Sequence, residues 1–175
     1  MILDRLLAGD LLMTIMSDTV AERARDVARL GIALEILEAH GRDHRPGPRA
    51  VTWSSLGDAE QIRILTRIWS VDETVARAVP LPVRRGVVSA LRLIESGRWY
   101  HTNDIARAAA SLVSKAAGRP IGTVPATEPG ESVDRPSIDR SLIALAVIGV
   151  VEISIDERGR PAALRLTEAG DNAVL

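Results

Sequence analysis

The stretch Ser137–Thr167, SIDRSLIALAVIGVVEISIDERGRPAALRLT, changes its periodicity twice. Ser137 is a suitable helix cap, and the residues to about Ile148 follow as one helix. Val150-Val151-Glu152-Ile153-Ser154-Ile155 and Ala163-Leu164-Arg165-Leu166 then alternate apolar with polar positions around Asp156-Glu157-Arg158-Gly159-Arg160. That pattern predicts a β-hairpin with a polar turn. After Thr167 a last helix is expected over 167–174.

Upstream, Val87, Val88, Leu91 and Ile94 form the apolar stripe of a helix over about 83–95, closed by Ser96-Gly97. Thr102 can cap a second helix over about 103–116, with Asp104 in its positive first turn and Ile105, Ala109, Leu112 and Val113 on one side. Residues 117–136 carry Pro120, Gly122, Pro125, Pro129, Gly130 and Pro136, marking a loop of about twenty residues. Helix, helix, helix, hairpin, helix is the order of a winged helix, with the hairpin as the wing.

The first half is less regular. Ser17 or Asp18 can cap a helix over about 19–39, where Val20, Ala24, Val27, Leu30, Leu34 and Leu37 recur at helical spacing. His40 to Arg49, with two prolines and two glycines, breaks it. Ala50-Val51-Thr52-Trp53 reads as a short strand, and a helix from about Asp58 carries Ile62, Leu65, Ile68 and Trp69. Ile32-Ala33-Leu34 and Ile143-Ala144-Leu145 open similar segments, and Ile32 to Gly57 spans 25 positions against 27 from Ile143 to Gly170. The expected fold is therefore mainly α with small β-hairpin wings, a tandem winged helix-turn-helix. Residues 1–57 form an abbreviated first unit, 58–82 a connecting helix and linker, and 83–175 the complete domain.

At Gly97-Arg98-Trp99-Tyr100-His101-Thr102-Asn103-Asp104-Ile105-Ala106, at Ile148–Glu152 and at Leu164-Arg165-Leu166-Thr167-Glu168-Ala169-Gly170, the chain resembles the winged-helix region of bacterial XPB-like, helicase-associated proteins. The likeness covers about 58–175 and implies a DNA-associated accessory role. The closing L-x-L-T-x-x-G is shared by many winged-helix regulators. No G-x-x-x-x-G-K-[ST] is present, so nucleotide hydrolysis is not implied.

Composition narrows the chemistry. With no cysteine among 175 residues, thiolate metal sites, disulfides and cysteine nucleophiles are excluded. His40, Asp43 and His44 fall in a turn rather than at helical spacing, so no metal is expected, and no cofactor. His101 beside Tyr100 and Asp104 reads as a helix start rather than an acid–base pair, so the protein is expected to be noncatalytic. Asp4, Arg5 and Asp10 interrupt residues 1–16, and Leu142–Val151 is too short to span a bilayer. A cytoplasmic protein, nucleoid-associated if it binds DNA, is the expectation. Trp53 and Trp69 are expected in the core, and Trp99 and Tyr100 as a wedge between helices.

The net charge of −1 hides an asymmetry: Val83–Leu166 has twelve Arg/Lys against nine Asp/Glu, whereas residues 1–82 have ten against twelve. Double-stranded DNA is the expected partner, contacted through the second unit. Arg158 and Arg160 sit at the wing tip, Arg84 and Arg85 begin the first helix of that unit, Arg107 and Lys115 lie on the second, and Arg140 on the third. The third helix carries few polar residues beyond Arg140, which argues against base reading. Its apolar character leaves a second expectation open: a scaffold that binds a protein partner, or dimerises, without touching DNA.

Overall fold

The computed structural model describes residues 28–41, 43–73, 75, 79–117 and 133–174. Among them the chain is mainly helical with two small antiparallel sheets. A helical stretch over 28–33 leads into strands β1 (Leu37–His40) and β2 (Asp43–Pro46). Helices α1 (Ala50–Ser55), α2 (Asp58–Val71) and α3 (Leu81–Leu91) follow. Next come β3 (Tyr100–His101), α4 (Thr102–Ala116), α5 (Arg135–Ile148), β4 (Val151–Ile155), β5 (Pro161–Leu166) and α6 (Glu168–Val174).

The first half departs from the sequence expectation in two places. The helix anticipated to residue 39 is left after residue 33, because Glu35 turns the backbone with φ 59. The expected turn is instead a hairpin, closed by Gly47 N–H to Ile36 O at 2.7 Å and Arg49 N–H to Glu35 O at 3.0 Å. Gly47 is required there, since a Cβ would collide with the Glu35 carbonyl. Both strands are largely exposed, so no alternation announces them. Residues 50–53, expected as a strand, begin α1. Gln61 stabilises that helix by donating from Nε2 to Trp53 O at 2.9 Å and Leu56 O at 3.1 Å, which pairs carbonyls at the helix end. The expected residues 19–27 and 118–132 lie outside the described residues.

The second half follows its expected order with shifted boundaries. Asp134, not Ser137, caps α5: its carboxylate accepts the Ser137 N–H at 2.9 Å, and hydrogen bonding from Ser137, the side chain first and the backbone after it, holds its pKa below the ordinary carboxylate range. Gly149 ends α5 in the left-handed region at φ 97. Thr102 does not cap α4; its hydroxyl donates to Pro161 O at 2.7 Å, tying the helix to β5. The sheet runs β3-β5-β4, with Tyr100 opposite Leu164 and Ile153 opposite Leu164 on the other side.

One apolar cluster joins these elements. Ile62, Leu65 and Trp69 of α2 pack with Val83, Val87 and Leu91 of α3, Ile105 of α4, Leu142 and Leu145 of α5, and Leu164 and Leu166 of β5. Each such fully buried side chain contributes on the order of 1.5–3 kcal/mol before conformational entropy is counted. With phenylalanine absent, aliphatic side chains and Trp69 fill this volume. Helices α3 and α4 pack tightly at Gly86, where a Cβ would lie 2.6 Å from Val113 Cγ2.

Candidate nucleic-acid interface

The tip of the β4–β5 hairpin is organised by Asp156. Its Oδ1 accepts the backbone N–H groups of Arg158 and Arg160, both at 2.9 Å, while its own N–H donates to Arg160 O at 2.8 Å. These bonds, Arg160's first, hold the carboxyl below its usual range. Gly159 completes the turn at φ 75. The Arg158 and Arg160 side chains are left exposed, with no side-chain hydrogen bond or ion pair shorter than 4 Å among the described residues. Asp156 and Glu157 nearby offset their charge.

The other expected contacts separate into different environments. Arg84 is a correction: it is 1% exposed, and its guanidinium donates to Trp69 O at 2.5 Å, Asp72 O at 3.0 Å and Val79 O at 3.1 Å. It closes the C-terminal end of α2 and stacks 5.9 Å from the Trp69 ring centroid, so it does not face a solvent phosphate. Burial pushes its pKa down. Arg107 is exposed but paired with Asp104 one turn away. Arg85 and Lys115 line the same cavity between α3 and α4. Arg140 is exposed on α5.

Helix α5 offers little else. Only Pro136 and Arg140 are exposed along it, and Ser137, Ile138, Asp139, Ser141, Leu142, Ile143, Leu145 and Ile148 are buried. A row of side chains able to read base edges is therefore missing.

Sequence reasoning passed over Arg135. Its Nε donates to Asp139 Oδ1 at 2.6 Å, Nη2 to Thr102 Oγ1 at 2.7 Å and to Pro161 O at 3.3 Å, and Nη1 to Asn103 Oδ1. One side chain thus joins α5, α4 and the first residue of β5, tying down the hairpin at the end next to its turn. The i,i+4 spacing to Asp139 was its one local signal, since the other partners lie 26 to 33 positions away. The expected wedge of aromatics also differs. Tyr100 accepts the Glu95 N–H at 3.1 Å, but Trp99 is 46% exposed, with Arg165 lying 5.2 Å from its ring centroid and paired to Glu152 at 2.7 Å.

His40, Asp43 and His44 stand on the exposed hairpin, and no group of three His, Cys, Asp or Glu residues suited to a metal occurs among the described residues. No described helix is long and apolar enough to cross a membrane. No protein family, curated protein or solved structure matches the chain.

Proposed function

We propose that residues 83–175 are a noncatalytic winged helix that contacts duplex DNA through its phosphate backbone. The order α3, β3, α4, α5, β4, β5 with strands arranged β3-β5-β4 supports the fold. The exposed Arg158 and Arg160 side chains at the hairpin tip are the observation that carries the function. Arg140, exposed on α5, is read as a further phosphate contact. The helix, hairpin and helix over 28–55 are read as the abbreviated partner of this unit. As the resemblance to helicase-associated winged helices implies, the chain acts on this reading as an accessory factor.

Such a surface holds the duplex without reading it. Phosphate contacts supply affinity and carry no sequence information, whereas a good bidentate base contact contributes about 1–3 kcal/mol of discrimination. Duplexes of unrelated sequence but equal length should consequently bind with equal affinity in a competition assay at low salt. A strong preference for one sequence would overturn this part of the reading.

The burial of α5 and the exposure of Leu93 at 70% and Trp99 at 46% favour a second reading, in which the same unit docks on protein. An absence of duplex binding at low salt would select it.

A further inference from the structure

We infer that the cavity between α3 and α4 binds a small anionic amphiphile, a carboxylate-type headgroup on a short hydrocarbon body. This inference stands apart from the DNA reading and uses two basic residues which that reading does not need. The cavity has a volume of about 720 Å³, within the range of about 300–1,000 Å³ typical of small-molecule sites. Its walls are apolar, formed chiefly by Pro80, Val83, Leu112, Val113 and Val133. Gly86 lies in its floor, where the two helices meet.

Charge decides the ligand class. Among the described residues, Arg85 and Lys115 are the charged ones lining the cavity, and no acidic one lines it. The Lys115 side chain makes no hydrogen bond or ion pair among the described residues. Arg85 donates from Nε to Ser70 O at 3.3 Å, a long bond that leaves its Nη groups available. Two exposed cations beside an apolar wall match a ligand with one negative end and an apolar body, since the charge stays at the wet mouth while the hydrocarbon leaves water.

Decanoate and decylamine provide the test, each titrated into the full chain by calorimetry below its micelle-forming concentration. Decanoate should bind saturably, and decylamine at least about tenfold more weakly, as charge-assisted bonds require. Exchanging both cations, Arg85→Gln with Lys115→Gln, should weaken decanoate by about tenfold or more with an unchanged melting temperature. Ser89→Leu, which adds bulk to the cavity wall, should weaken it as well. No saturable decanoate binding, equal binding of decylamine, or unchanged decanoate affinity in the double or the Ser89 variant would overturn the inference.

Discussion

Arg135 and Asp139, one turn apart on α5, form an ion pair at 2.6 Å whose acidic member is buried at 6% side-chain exposure and whose basic member is 35% exposed. The pair is asymmetric in its consequences. Burial raises the Asp139 pKa, opposed by the hydrogen bond from Arg135, so ionising this carboxyl costs more in the folded chain than in water. Replacing the acid by a neutral isostere should therefore cost little. Removing the base leaves a buried carboxylate without its partner and frees the α4 and β5 ends. Arg135→Ala is expected to destabilise by about 2–3 kcal/mol, and Asp139→Asn by less than about 1 kcal/mol near neutrality, both read by urea unfolding.

The pH dependence of that difference has a defined sign. A carboxyl whose folded pKa exceeds its unfolded value contributes most below the unfolded value, about 3.9, and loses that contribution as pH rises through the folded pKa. Wild type should gain stability relative to Asp139→Asn as the pH falls toward about 4. Parallel curves for the two proteins would contradict the burial described for Asp139.

Asp156 behaves in the opposite way. Its pKa is lowered by backbone hydrogen bonds, so what it contributes is present above the unfolded value and is lost as pH falls through the folded pKa. Asp156→Ala should accelerate hydrogen exchange at the Arg158 and Arg160 amides while leaving the core amides of α2 and α5 protected. Exchange at the tip that matches wild type would show the turn to be held by other means.

Arg84 and the hairpin arginines should separate stability from binding. Arg84→Met leaves the Trp69, Asp72 and Val79 carbonyls without their donor and should cost about 2–4 kcal/mol. Its effect on the salt dependence of DNA binding, measured well below its melting temperature, should be nil. A reduced salt slope in that variant would put Arg84 in contact with phosphate after all.

The sequence was most legible where the chemistry is local. The motif Leu164-Arg165-Leu166-Thr167-Glu168-Ala169-Gly170 is one such case. Leu164 and Leu166 point inward from β5, and Thr167 Oγ1 accepts the Gly170 N–H at 2.8 Å, opening α6. Gly170 itself admits the Val150 carbonyl, which a Cβ would strike. Gly170→Ala should accordingly displace α6 from α2 and lower the melting temperature more than Gly57→Ala, where a Cβ meets nothing within 4 Å. An equal effect of the two substitutions would show that α6 does not need that close approach.

Long-range pairing was the illegible part. Arg84 reads as one of two exposed cations at a helix start, and only the folded chain brings it under the end of α2. The β-branched run Val51-Thr52 suggested a strand, but the hairpin closing at Gly47 and the carbonyl bonds from Gln61 favour a helix there. The exposed faces of β1 and β2 carry no alternation from which a hairpin could be read.

The salt dependence of duplex affinity tests the proposed function most directly. For wild type, the logarithm of the association constant should fall linearly with the logarithm of salt concentration, with about −0.9 in slope for each phosphate neutralised. Arg158→Ala with Arg160→Ala should bind more weakly at low salt and lose about two units of that slope at an unchanged melting temperature. Undetectable wild-type binding at low salt, or a double variant that retains the wild-type affinity and slope, would contradict DNA contact through the hairpin tip.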